Sequence, residues 1–234
     1  MYYCFKLYFD NIIFPILRYI FLNKNYPYPV FLKISGKSCV VVGGGKVALR
    51  KVNDLLEAGA KVTVVAEIPD PLIEDLSKKE EIKLFKRLFR PEDVENTFLV
   101  FAATDDNAVN AEIAEIAKKN GALVNAVDNP EHCDFFSGAV VKRGPLRIAV
   151  STSGCCPGIA AGIRRELEEN YDVSFADFLE SAGEMRQFIL STTNITNDAK
   201  NRALQWLCDN ETFKLYIESG KEKVWEELKK IISS

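Results

Sequence analysis

Three consecutive glycines directly after a short apolar run constrain this chain more than any other feature. In Ser38-Cys39-Val40-Val41-Val42-Gly43-Gly44-Gly45-Lys46-Val47-Ala48, the residues up to Val42 are mostly β-branched and read as a fully buried strand. The glycines read as a turn that no bulkier residue could make. Apolar residues then recur at Val47, Ala48, Val52, Leu55, Leu56 and Ala58, which is helical spacing, and Gly59 falls where a left-handed cap would close the helix. Gly43-x-Gly45-x-x-Ala48 matches the fingerprint of a dinucleotide-binding turn. Gly43 makes the turn, Gly45 admits a pyrophosphate, and Ala48 lets helix and strand pack closely. The phosphates would sit on the unpaired amides at the helix start. A glycine triplet alone is also compatible with a bare structural turn, so its surroundings decide.

Those surroundings repeat the unit. Lys61 to Ala66 is a second buried strand, Leu72 to Lys79 a short helix, Ile82 to Lys86 a third strand and Thr97 to Ala103 a fourth. Ala108 to Asn120 reads as a helix closed by Gly121, and Leu123 to Val127 as a fifth strand. Strands alternating with helices predict an α/β fold, a Rossmann-like doubly wound parallel sheet. With strand order 3-2-1-4-5, the ends of strands one and four flank the crevice where such sheets bind ligands. Thr104 and Asp105 then face the glycine turn, although Asp and Asn are also favoured as helix caps. Glu67 follows strand two where these folds place the acid that bonds the ribose 2′-hydroxyl, and a solvated loop glutamate is the other reading.

Beyond residue 136 the rhythm changes. Ala139 to Lys142 and Leu146 to Ser151 read as two strands joined through Arg143-Gly144-Pro145, a hairpin whose unpaired edges want a partner. A helix from Ile159 to about Asn170 follows, with Pro157 near its first turn, and Phe175 to Ile232 is helical throughout apart from a polar break at Thr192 to Asn197. The net charge of -3 argues against nucleic-acid binding, which needs a cationic footprint. The six cysteines form no C-x-x-C pair, so reduced thiols in a cytoplasmic protein are expected and a four-thiolate zinc site is not. Residues 1–27 are aromatic and apolar, but Pro15 and Arg18 break the run short of a membrane span. They read as an extension, with membrane-surface attachment as the alternative.

Four segments carry a specific likeness: Val40 to Lys51, Ala102 to Asp106, Asn125 to Asp128, and Ile148 to Pro157 with its Ser-Thr-Ser-Gly-x-x-Pro ending. In order and spacing they resemble the precorrin-2 dehydrogenase module of siroheme synthases. The resemblance implies NAD-dependent oxidation of precorrin-2, a tetrapyrrole, to sirohydrochlorin in siroheme biosynthesis. In some members it also implies insertion of ferrous iron. It implies a homodimer joined through the segment after the nucleotide domain, and a stand-alone form, since nothing resembles the methyltransferase half of the fused enzymes. The implied domains are 28–137 for NAD binding, 138–172 for dimerisation and 173–234 for a helical domain, after an extension over 1–27. The family's catalytic aspartate falls on Asp128, and its nucleotide contacts fall on Lys46, Val47, Glu67 and Ile68. Thr152 matches a hydroxyl position that is phosphorylated in some members, whereas Cys156 departs from the serine of many relatives.

Oxidising a dihydro macrocycle requires a hydride acceptor, which NAD supplies, and a base, which the protein supplies. Asp128, on a strand end beside the crevice, is the best-placed carboxylate; without the family match, a turn former before Asn-Pro is an even alternative. Lys142, Arg143, Arg147, Arg164 and Arg165 are positioned to meet the substrate's carboxylates or to be solvated. Lys142, Arg143 and Arg164, with Asn125 and Thr152 on the matched motifs, are the substrate-side candidates. His132, beside Cys133 and Asp134, is the place to look for an iron ligand, although a lone loop histidine is more often solvated. Cys155-Cys156 either binds metal or packs before its helix. The rival class is a non-catalytic NAD-sensing regulatory module, which would have no reason to carry the hairpin and the Thr-Ser-Gly-x-x-Pro loop. Because Glu67 would repel a 2′-phosphate, NAD should bind about tenfold or more tighter than NADP, roughly 1.4 kcal/mol. Titration with both nucleotides measures this, and equal affinities would contradict the role given to Glu67.

Overall fold

Alternation along β1 (Ser38–Val42) explains why every residue in it after the first is buried. Cys39 and Val41 point to one face of the sheet and Val40 and Val42 to the other, and both faces are covered. The structure is a computed structural model that describes residues 26–233. The expectation for residues 1–27 lies almost wholly outside them. The chain divides into two compact units, the first ending at Ser137 and the second beginning at Gly138.

In the first unit β1 is central to a five-stranded parallel sheet with β2 (Lys61–Val65), β3 (Ile82–Phe85), β4 (Leu99–Ala102) and β5 (Leu123–Ala126), in the order β3-β2-β1-β4-β5. This is the predicted doubly wound arrangement. Val42 lies level with Val65 on one side and Ala102 on the other, so three strands finish together around one crevice. On one face α1 (Lys46–Glu57) and α2 (Pro71–Lys78) bury Ala48, Val52, Leu55 and Ile73 against Cys39 and Val41. On the other, α3 (Asn107–Lys119) buries Ile113, Ala114 and Ala117 against Val40, Val42 and Val100. Cys39 is wholly enclosed, and burial pushes its thiol up to about 11, which makes it an inert packing group.

One residue breaks the expected pattern of the core. Lys51 lies on the buried side of α1, with its ammonium 5.4 Å from the centre of the Phe101 ring, and Phe101 in turn meets Phe135 edge-on at 5.4 Å. Burial lowers the Lys51 pKa from its ordinary value, while the face of the Phe101 ring recovers part of the lost hydration of the cation.

The second unit opens with the predicted hairpin, β6 (Ala139–Arg143) and β7 (Leu146–Val150), turned at Gly144, whose φ of +50° favours glycine. The helix α4 (Pro157–Asn170) packs on the hairpin. The remaining helices, α5 (Ser174–Ser191), α6 (Asn197–Leu207) and α7 (Asn210–Ser233), enclose a core of Met185, Ile189, Ala203, Leu207, Val224 and Leu228. The polar break corresponds to the cap of α6, where Thr196 Oγ1 accepts from the Ala199 N–H at 3.1 Å. Helical spacing hid two further interruptions: Cys208-Asp209 separates α6 from α7, and Gly220, at φ +82° and ψ 172°, breaks α7 in two.

Both tryptophans, Trp206 and Trp225, belong to α6 and α7, so intrinsic tryptophan fluorescence reports on the second unit alone. Leu228 is fully enclosed there. Leu228→Ala should destabilise this unit by about 2–5 kcal/mol, read as a lower urea midpoint by fluorescence. An unchanged midpoint would mean that the site collapses around the missing atoms.

Candidate active site

Gly43 ends β1 between two neighbouring strand ends. Its N–H donates to the Val65 carbonyl at 2.9 Å. Its φ is +128°, and a Cβ there would fall 2.1 Å from the Ala103 carbonyl oxygen, so both conformation and space demand glycine. Gly45 differs: as the residue before α1, it has an extended backbone (φ -83°, ψ -173°), and among the described residues, its chain neighbours apart, no atom lies within 4 Å of where its Cβ would be. No side chain caps α1, and its first turn carries no acid. The exposed helix start, flanked by the exposed Lys46 and Val47, therefore keeps unpaired amides, a positive dipole end and open space in one place. These features fit a dinucleotide pyrophosphate. Ala48, fully buried, supplies the close helix-to-strand contact.

Glu67 and Ile68 leave β2 on the same rim and are both exposed, Ile68 at 89%.

Across the crevice, Thr104 follows β4 and is held by Asn110 of α3, a residue outside the candidates that the sequence offers. The Asn110 side chain is 1% exposed. Its Oδ1 accepts from the Thr104 N–H at 3.0 Å and from the Thr104 hydroxyl at 2.7 Å, and its Nδ2 donates to the Thr104 carbonyl at 3.0 Å. Three bonds from one buried amide fix the height of this rim. A buried Asn in a helix whose other inward residues are apolar was the available signal. Of the two aspartates after Thr104, Asp106 is the cap, accepting from the Ala108 N–H at 2.8 Å, while Asp105 stays exposed on the rim.

Asp128 stands past the end of β5, exposed, with φ +57°. That is a costly region for most L-residues, and Asp and Asn are among those that tolerate it. Asn125 is turned inward: its Nδ2 donates to the Phe135 carbonyl at 2.8 Å, which ties down the loop carrying Asp128. The run His132-Cys133-Asp134 does not converge. The Cys133 thiol donates to the Ala126 and Asn129 carbonyls, and burial raises its pKa. Asp134 accepts from the Val124 N–H and pairs with Lys118 at 3.3 Å. Among the described residues no three His, Cys, Asp or Glu side chains are grouped to hold a metal ion.

The other candidates belong to the second unit. Arg143 donates from Nε to the Tyr171 carbonyl at 2.8 Å and from a terminal nitrogen to that of Glu168, so it caps the end of α4. Arg164 pairs with Glu168 one turn on. Thr152 Oγ1 accepts from the Cys156 N–H at 3.2 Å, ordering the loop before α4. Cys155 is exposed and Cys156 half-buried, and both are free thiols. Among the described residues no helix is long and apolar enough to cross a membrane.

A model of an NAD(P)-binding family matches residues 30–139, and one of the sirohaem biosynthesis protein central segment matches residues 143–170. The siroheme synthase of Methylococcus capsulatus is 41% identical over 68% of this chain and 34% of its own length, and siroheme synthase 1 of Serratia proteamaculans is 38% identical over 74% and 36%. The chain thus spans about a third of the length of these curated relatives. A solved structure of SirC, precorrin-2 dehydrogenase, superposes with a TM-score of 0.74 at 30% identity, covering 87% of this chain and all of SirC. Fold, motifs and structural match agree: the chain belongs to the family that comprises SirC, precorrin-2 dehydrogenase, and the corresponding segments of the siroheme synthases.

Proposed function

We propose that this chain oxidises precorrin-2 to sirohydrochlorin with NAD as hydride acceptor, within siroheme biosynthesis. The observation that carries this reading is the pairing, on one sheet edge, of an uncapped, amide-lined helix start with an exposed aspartate held at positive φ, in a member of this family. NAD, when bound, supplies the hydride acceptor. The chain's own residues do the rest. Gly43 and Gly45 keep the backbone clear for the pyrophosphate, Lys46 and Val47 flank it, Glu67 accepts from the ribose hydroxyls, Ile68 faces the adenine, and Thr104 and Asp105 form the opposite wall. Oxidation removes a hydride and a proton from the macrocycle, and Asp128 takes the proton.

For the substrate, the notable candidates in the second unit are Lys142 and Thr152, as ligands of the tetrapyrrole carboxylates. Arg143 and Arg164 contribute through the shape of α4, given the partners they already have. Asn125 acts through the loop it ties down. Two copies pair through residues 138–172, which gives the two-stranded hairpin the continuation it lacks among the described residues. Residues 28–137 act as the nucleotide domain and 173–234 as a helical domain. NAD chemistry and free thiols suit the cytoplasm. Incubating the chain with precorrin-2, NAD and ferrous iron asks whether siroheme forms beyond sirohydrochlorin.

Asp128→Asn preserves shape and left-handed tolerance and removes the base, so the fold and NAD affinity should survive to within a few-fold. Turnover of precorrin-2, followed as NADH formation, should fall about 10²- to 10⁴-fold. Near-native turnover in a variant that melts earlier would make Asp128 a turn former and Asp105 the next carboxylate to test.

A further inference from the structure

Gly44, the middle glycine, has no place in the spacing that defines the dinucleotide fingerprint, yet it meets the closest backbone packing on the nucleotide rim after Gly43. A Cβ on Gly44 would lie 2.5 Å from the Ile68 carbonyl oxygen, 2.8 Å from the Pro69 Cα and 3.0 Å from the Ala66 Cβ. The first two are backbone atoms and cannot swing aside as the tip of a side chain would. The same segment is fastened to the turn from the other direction, because the Asp70 N–H donates to the Gly44 carbonyl at 2.7 Å. Asp70 is itself fixed, its carboxylate capping α2 through the Leu72 N–H at 2.9 Å. Residues 66 to 70 are thus pressed against Gly44 by contact and tied to it by a hydrogen bond, and Glu67 lies within that span.

We infer that Gly44 is a positioning residue for nucleotide selection: by admitting the Ile68 carbonyl it sets where Glu67 stands relative to the ribose. This rests on the reading that Glu67 is the ribose acid. Gly44 does not occupy the positive-φ region that strains an added side chain. Gly44→Ala therefore tests the contact and not the dihedral, and the expected response is an outward shift of Ile68-Pro69 that carries Glu67 with it. The pyrophosphate site at Gly45 and α1 is built from other atoms, so the loss should fall on discrimination at the ribose more than on binding as such.

The test is direct titration of the full chain with NAD and with NADP, for the native protein, Gly44→Ala, Glu67→Gln and the double variant. Each single change is expected to lower the NAD-over-NADP preference about tenfold. The double variant should lose little more than either alone, because both act through one carboxylate. Equal weakening of NAD and NADP by Gly44→Ala would overturn the inference, as would losses of preference that multiply in the double variant. If Glu67→Gln leaves the preference intact, the reading of Glu67 itself fails and the inference falls with it, an outcome distinct from the other two. Should Gly44→Ala not fold, Pro69→Gly carries the test: it unpins the same segment without adding an atom to the turn. It is expected to lower the preference in the same direction, and an unchanged preference would overturn the inference.

Discussion

The backbone junction at Gly43 is the constraint on which the rest of the first unit depends. One N–H bonds to the end of β2 while the missing Cβ leaves room for the carbonyl at the end of β4. Three strand ends are thereby drawn to one level, and the chain must turn away into α1 with its amides uncovered. The same local geometry closes the sheet core and leaves a helix start whose uncovered amides suit an anion. Substitution at Gly43 would strain the turn and push β1 away from its neighbour at once, so fold and nucleotide binding cannot be separated at this residue.

The rims of that crevice are stabilised in different ways. The rim after β2 is set by backbone packing and one backbone hydrogen bond to Gly44. The rim after β4 is set by a buried side-chain amide, Asn110, that satisfies three polar groups of Thr104. The loop after β5 is drawn in by Asn125 and Cys133 and leaves Asp128 outside, at positive φ. In each case the groups that would meet a ligand are left exposed, and the groups that hold them lie inside. Such a division suits a site that has to be in place before its ligand arrives.

Most of the first unit was legible in the sequence because local pattern and global fold agree there: buried strands doubly covered by helices are continuous apolar runs, and Val40 to Val42 could be little else. Periodicity does not report side-chain partners: Lys51 over Phe101 leaves no trace in the pattern, and Asn110 shows only as a polar residue on an apolar face, without its bonds to Thr104. Arg143 and Arg164 looked like substrate cations because charge is all that a sequence displays. Their bonds to the end of α4 and to Glu168 depend on how the hairpin and helix pack. The interruption at Gly220 was missed for the opposite reason, since one glycine barely disturbs a helical pattern while its φ of +82° ends the helix in space.

If the proposal holds, one crevice, at the carboxyl ends of β1, β2 and β4, receives NAD through backbone groups and presents Asp128 to the substrate. A crystal structure of the full chain grown with NAD tests it most directly. Pyrophosphate oxygens are expected within hydrogen-bond distance of the amides at the start of α1, the adenosine ribose against Glu67, and the nicotinamide on the side of Asp128. A dinucleotide bound elsewhere, or one whose nicotinamide points away from Asp128, would contradict it.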